Sequence, residues 1–295
     1  MNIQLPLYAL VVPFWLGIPV WFEANTLAQA EKSTLSLGPI DSADAVELAE
    51  KLAIARTYDK VTARVLAVAE SFKGTCYGTL PVAEEEYLAI STRRVDCWTF
   101  VELSLAIALA AEQKDASLAT IADYVRALRY WGGTIDGFAS RVHYLSGWLR
   151  QAQDLGYLRD ITRELGGRPY RKKIDFMSKH PEKYPPLKDP KTLRRIQQVE
   201  TRLSRRVHYM IPKGLIEHIE NQLRPGDIIA IASAKPGLDF AHLGFAVSYS
   251  GRIHLLHASS LKGCVVVTAQ SLGAYVRSQK GQAGIVVARL VENFK

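Results

Sequence analysis

Three cysteines and seven histidines are the side chains of this 295-residue chain best suited to nucleophilic chemistry. Cys97 stands out among them. It lies in the stretch Arg93-Arg94-Val95-Asp96-Cys97-Trp98-Thr99-Phe100-Val101-Glu102. From Cys97 to Glu112 the apolar residues Val101, Leu105, Ala108 and Leu109 fall on one helical stripe, and Asp96 is a favoured type for the cap in front. A thiol in that first turn feels the positive end of the helix dipole, which lowers its pKa toward neutrality and frees thiolate for attack. The N–H groups of the same turn are expected to hold an oxyanion. Against this stands the ordinary role of a cysteine on an apolar helix, which is to fill a core. Asp96 likewise reads as a plain helix cap or as a carboxylate facing a substrate amine.

A thiol nucleophile needs a base, and the sequence offers one far downstream. Phe240-Ala-His-Leu-Gly-Phe-Ala-Val247 surrounds His242 with apolar residues. A Ser250-Gly251 turn follows, then Arg252-Ile-His-Leu-Leu-His-Ala-Ser259 with His254 and His257. This is a hairpin with histidines on both strands. An early cysteine and late histidines suit a thiol hydrolase assembled in space, with Cys97 as nucleophile and His242 as general base and then acid. Strand side chains alternate, so His254 and His257 point to opposite faces and only one can join the site.

Several blocks together resemble the NlpC-type bacterial cell-wall cysteine peptidases, which have a papain-like fold, and most of all their N-acetylmuramoyl-L-alanine amidase-like branch. They are Asp96-Cys97 with Thr99-Phe100, the His242-x-Gly-Phe strand, the His257-Ala-Ser strand, Phe72–Tyr77, Arg129-Tyr130, Ser140–Trp148, Phe176–His180, Gly226–Ala230 and Gly237–His242. The resemblance spans about residues 60 to 292 and departs at Cys76, where proline is expected, and at Trp98, where a smaller residue is usual. It implies a Cys97-His242-His257 site, the Ala-Ser after His257 deciding against His254. It also raises Tyr77, Asp96, Arg141, His143, Tyr144 and Asp239 as substrate contacts. The implied reaction is hydrolysis of the amide between N-acetylmuramic acid and L-alanine in peptidoglycan or soluble muropeptides, without a cofactor. Two alternatives are cleavage of the γ-D-glutamyl to diamino-acid bond and wall binding without catalysis. A zinc site from His242, His257, Cys97 and Cys264 lacks the usual ligand spacing.

The elements that must position these residues follow in order. Leu5 to Phe22 is almost wholly apolar and Ala28-Gln-Ala30 is a small-x-small site, so residues 1–30 read as a signal peptide cleaved after Ala30, leaving no membrane anchor. The expected location is periplasmic or extracellular. Residues 31–40 read as a linker and 41–295 as one domain. Two helices between Asp41 and Phe72, broken near Arg56 to Asp59, and a helix from Ser117 to Arg129 build the first half. Strands at 228–232, 242–249, 252–258, 263–268 and 284–290 build the second. The expectation is an α+β fold whose helical half carries the nucleophile against an antiparallel sheet.

The net charge is +8. From Arg168 to Lys213 there are 14 lysines and arginines against 4 acids, and six prolines, which predicts a long irregular basic insertion with a helix from about Pro190 to Arg206. A charge run is ordinarily a solvated face. No aromatic interleaving of a nucleic-acid motif is present, so anionic muropeptides suit the positive field better. For Cys76 and Cys264, two unpaired thiols are preferred over a disulfide, and the oligomeric state is left open.

Overall fold

The structure, a computed structural model, describes residues 38, 40–80 and 85–292. The expected signal peptide and most of the expected linker lie outside the described residues. No helix among the described residues is long and apolar enough to cross a membrane.

The first half is helical, as its spacing predicts. Helix α1 (Ser42–Arg56) starts at Asp41, whose carboxylate accepts from the Ala43 N–H at 2.8 Å. Helix α2 (Val61–Ser71) follows the expected break. Strands β1 (Cys76–Tyr77) and β2 (Arg94–Val95) then lead into α3 (Cys97–Ala110). Every residue of α3 from Phe100 onward is buried, so the single apolar stripe read from the sequence is too narrow. The remaining positions, Leu103, Ala106, Ile107 and Ala110, are covered too, because α1, α2, α4 (Leu118–Arg129) and strand β7 (Phe240–Tyr249) close around the helix.

Phe100 fixes α3 to that strand. Its ring meets Phe245 edge-on at 5.6 Å and Phe72 of the α2 end at 5.9 Å. Each such pair contributes about 1 kcal/mol beyond the burial itself. The helix that begins at Cys97 and the strand that carries His242 are thereby locked together within one turn of Cys97.

The remaining strands are β3 (Leu158–Asp160), β4 (Arg168–Tyr170), β5 (His208–Pro212), β6 (Ile228–Ser233), β8 (Arg252–Ser259), β9 (Cys264–Val267) and β10 (Gln282–Leu290). They form one ten-stranded sheet in the order β2-β1-β9-β8-β7-β6-β10-β5-β4, with β3 also on β10. All neighbours are antiparallel except β1 and β2. The sheet therefore draws strands from both halves of the chain, where the sequence pattern assigned it to the second alone. Both its faces are covered. On β6, Ile228, Ala230 and Ala232 join the core under α3, while Ile229 and Ile231 join a second core. Helices α5 (Leu145–Asp154), α6 (Phe176–Lys179) and α7 (Pro190–Ser204) precede α8 (Leu272–Ser278), which with 3-10 turns at Lys213–Gln222 seals that second core.

The basic segment is not an irregular insertion. It supplies β4, β5, α6 and α7, and it holds a third core around Tyr144, Phe176, Met177, Leu187, Ile196 and Leu203. Pro181, Pro185 and Pro190 start 3-10 turns and the first turn of α7 rather than breaking order, since proline fits the first helical positions. The basic residues Lys191, Arg194, Arg202 and Arg205 lie on the solvent side of α7.

Candidate active site

Cys97 is the first residue of α3, and Asp96 caps it. The Asp96 Oδ1 accepts from the N–H groups of Trp98 at 3.0 Å and Thr99 at 2.7 Å, and the Thr99 hydroxyl accepts from the Asp96 N–H at 2.9 Å. This reciprocal pairing takes up two of the orphan donors of the helix mouth. Only the Cys97 N–H of that turn remains for an oxyanion, fewer than the sequence suggested.

The cap also changes the thiol. Burial pushes the Cys97 thiol up to about 12, and the Asp96 charge adds to the rise. Backbone hydrogen bonds from Leu243, Cys97 itself and Trp98 oppose it without prevailing. The expectation of a near-neutral thiol pKa is thus corrected, because desolvation and an adjacent carboxylate outweigh the helix dipole. In the resting protein the sulfur is protonated and partly accessible.

Leu243 places that sulfur relative to the histidines. The β7–β8 ladder ends at Phe245 and Leu256, although β7 begins at Phe240 and β8 runs on to Ser259. The backbone N–H of Leu243, in this stretch unpaired with β8 and one residue from His242, lies near enough to the sulfur to favour its charged form. His257 lies diagonally across from His242, and the two rings meet edge-on with centroids 4.7 Å apart. His242 Nε2 is hydrogen-bonded to His257 Nδ1. Among the described residues, no hydrogen bond joins the sulfur directly to either imidazole. Burial, and then the neighbouring His257, push His242 down to about 3, and burial pushes His257 down to about 4. His254 turns the other way, as strand alternation requires, and its Nδ1 is 2.8 Å from the Thr268 carbonyl.

Two residues of this gap had little voice in the sequence. Tyr275 of α8 packs on the His257 ring at 5.5 Å, and burial together with the Cys97 charge raises its pKa. Its only sequence signal is an aromatic residue in a short helix following the strands. Gly244 is the second. A Cβ there would stand 2.7 Å from the Leu256 carbonyl oxygen and 3.0 Å from the His257 Cβ. A glycine inside a strand pattern is the signal for such a close approach.

The proposed contacts divide. Tyr77 lies near Cys97, its pKa raised by burial and then by Cys97 and Asp96. Asp96, Arg141 and His143 line one cavity of about 230 Å³ with Thr79, Trp98, Thr99 and Arg129. Arg141 is already held there by Glu86, with Nε 2.9 Å from the carboxylate. His143 donates from Nε2 to the Phe138 carbonyl at 2.8 Å, and burial pushes its pKa down to about 4. Beneath the cavity Arg129 pairs with the fully buried Glu102 at 2.6 Å. A larger cavity, about 440 Å³ beside Trp131 and Arg202, contains neither a cysteine nor a histidine.

Tyr144 and Asp239 are corrected. Tyr144 is 2 % exposed; its hydroxyl donates to Glu200 at 2.6 Å and accepts from the Met177 N–H at 2.9 Å, deep in the third core. Asp239 is buried and accepts from the Ser146 and Phe240 N–H groups, each at 2.8 Å. It caps the start of α5, which has no side-chain cap of its own. Neither is free to meet a substrate. Cys76 and Cys264 are free thiols, and among the described residues no group of three or more His, Cys, Asp or Glu is placed to hold a metal ion.

Known proteins can now be set beside this geometry. A crystal structure of an N-acetylmuramoyl-L-alanine amidase from Bacteroides uniformis is 33% identical, with a TM-score of 0.73, covering 77% of this chain and 98% of that one. A Bacteroides fragilis structure provisionally named a xylanase is 38% identical, with a TM-score of 0.71, covering 75% of this chain and 98% of that one. A Legionella pneumophila protein at 22% identity shares the fold, with a TM-score of 0.64 over 85% of this chain and 97% of that one. No curated protein matches the chain. The family model described as AmiA-like, N-acetylmuramoyl-L-alanine amidase-like, matches residues 67–285, a span holding Cys97, both paired imidazoles and Tyr275, and the chain belongs to that family of amidase-like hydrolases.

Proposed function

We propose that the chain is a cysteine amidase of the NlpC, papain-like type that hydrolyses the amide between N-acetylmuramic acid and L-alanine. The observation that carries this reading is the sulfur at the mouth of α3, under the influence of the Leu243 N–H beside a histidine whose Nε2 is already held by a second imidazole. With His242 Nε2 engaged by His257, Nδ1 is the nitrogen left to take a proton. For Nδ1 to be a base, Nε2 must carry the hydrogen and donate it to His257 Nδ1, which fixes the tautomer.

Resting thiol and neutral imidazole then imply that the proton moves as the sulfur attacks, with no ion pair formed beforehand. The Cys97 N–H supports the oxyanion, His242 returns the proton to the leaving L-alanine amine, and water releases the acyl group by the same route in reverse. Arg141, His143 and Asp96 border the cavity beside the nucleophile and are proposed to meet the carboxylate and amide groups of the muropeptide. Tyr77 is proposed to pack against the substrate at the thiol. A glycosidase reading, as the name of the Bacteroides fragilis relative suggests, needs two carboxylates flanking a cleft. Here the cavity beside Cys97 is lined by one carboxylate, Asp96, whose Oδ1 serves the helix cap, and, among the described residues, by no second.

The apolar leader supports action outside the cytoplasm, on wall or on wall fragments, with no cofactor and no nucleic acid. Incubation with defined muropeptides beside a Cys97→Ser control tests the reading. Release of a peptide beginning at L-alanine, absent with Cys97→Ser, is expected; release beginning at the diamino acid identifies an endopeptidase and refutes it.

A further inference from the structure

Away from the catalytic gap, two cysteines face each other across the sheet. In the β1–β9 pairing Cys76 stands opposite Cys264. The flanking hydrogen bonds run from the Tyr77 N–H to the Gly263 carbonyl at 2.8 Å and from the Val265 N–H to the Thr75 carbonyl at 2.9 Å. Bonds that bracket a residue pair in this way mark it as a non-hydrogen-bonded pair. That is the closer of the two antiparallel kinds, with Cα atoms about 4.5 Å apart and both side chains on one face. Disulfides span Cα separations from about 4.4 Å upward, so no backbone movement is needed to join these two. Cys76 is exposed, Cys264 is partly so, and both are free thiols.

We propose that Cys76 and Cys264 form a reversible dithiol–disulfide site, closed by exchange with a small disulfide oxidant, that clamps the strand bearing Tyr77 onto β9. In the first step the Cys76 thiolate attacks a sulfur of the oxidant, forming a mixed disulfide and expelling one thiolate. In the second the Cys264 thiolate attacks the Cys76 sulfur, the protein disulfide forms and the second thiolate leaves. The two cysteines lose two protons and two electrons in total, and the oxidant takes them up as two thiols.

The position gives the bond a consequence at the site. β1 is two residues long and pairs on its other side with β2, which runs directly into Asp96 and Cys97. β9 pairs with β8, where His257 stands opposite Val266. A bond between Cys76 and Cys264 therefore ties the approach to the nucleophile to the hairpin holding the imidazoles, across a loop of roughly 190 residues. Cys97 is kept out of the exchange, since its thiol is held protonated and thiolate is the reactive form. The inference stands on the sheet register and does not depend on which amide is cleaved.

The test uses the full chain, equilibrated with mixtures of oxidised and reduced glutathione, alkylated, and examined by intact mass and non-reducing peptide mapping. The expected product is one internal Cys76–Cys264 link, a single alkylated thiol at Cys97, and complete reversal by dithiothreitol. The oxidised chain should melt at least about 5 °C above the reduced one. Cys264→Ser should show neither the link nor the rise, and Cys76→Ser serves equally if the first variant folds poorly. A glutathione retained on Cys76 in the unsubstituted chain, a link that includes Cys97, an unchanged mass, or equal melting of the two forms overturns the proposal.

Discussion

Replacing Gly244 by alanine isolates the geometry of the imidazole pair without touching either ring. The added Cβ would lie 2.7 Å from the Leu256 carbonyl oxygen, 2.9 Å from Leu255 Cδ1 and 3.0 Å from the His257 Cβ. Ordinary contact is about 3.5 Å, so β8 must retreat by roughly 0.5 to 0.8 Å. Two of the three obstacles belong to backbone or to a Cβ and cannot swing aside. Such overpacking costs about 1–3 kcal/mol of stability, a fall in Tm of roughly 2–10 °C for a chain of this size. The larger effect is on chemistry. His257 moves with β8 while His242 stays on β7, and a displacement approaching 1 Å costs on the order of 100-fold in rate. We therefore expect kcat on a muropeptide to fall about 30- to 100-fold in Gly244→Ala with a small change in KM. In a His257→Ala background the same substitution should cost less than about threefold, since the group it displaces is gone. Initial rates on one purified substrate for the four proteins of this cycle, with thermal melts beside them, decide it. Full activity of folded Gly244→Ala, or an equal loss with and without His257, refutes the argument that His257 acts by holding His242.

The titration of the histidines gives a second prediction. With His242 near 3 and His257 near 4, the neutral base persists far below the ordinary histidine range, so kcat/KM should stay level through pH 6.5 and fall only below about pH 4. The same shifts act on stability. The unfolded chain binds protons on these imidazoles from about pH 6.5 downward and the folded chain does not, so stability is complete above that pH and declines toward pH 3. His143, pushed down to about 4, adds to the decline, each such group contributing about 3 kcal/mol once charged. Urea unfolding at stepped pH measures it, and a stability independent of pH between 4 and 6.5 contradicts the burial of these rings. The third concerns Glu102 and Arg129, 0% and 6% exposed, where Arg129→Met leaves a buried carboxylate alone. A loss of about 3–5 kcal/mol is expected, largely recovered in Glu102→Leu with Arg129→Met; simple additivity of the two substitutions would overturn it.

Local rules written in the sequence account for much of this architecture, and their failures share one cause. The Asp96 cap, the break between α1 and α2, the strand boundaries of the hairpin and the opposite facing of His254 and His257 depend on spacing within a few residues. Tyr144 and Asp239 misled because their partners, Glu200, Met177 and Ser146, lie 33 to 93 residues away, and a buried polar residue is spelled like a binding one. The proline-rich basic segment misled similarly. Its β5 becomes a strand because the edge of β10 is there to pair with, and β4 because β5 then offers an edge in turn. Arg141 belongs to both groups, bordering the cavity yet fastened to Glu86.

The thiol is the sharpest instance, because two local features of the sequence pull it in opposite directions. An N-terminal helix position argues for a low pKa, and the very residue that makes a good N-cap argues against it by adding negative charge next door. Which prevails depends on desolvation, a property of α1, α2, α4 and β7 closing over α3 and of no residue near Cys97 in sequence. The outcome is a sulfur held protonated in the resting protein. An enzyme built this way gains selectivity, since an unoccupied site offers little thiolate to stray electrophiles. On the proposed mechanism the imidazole pair then becomes indispensable, because with the helix dipole overruled His242, steadied by His257, is the group left to draw the proton away.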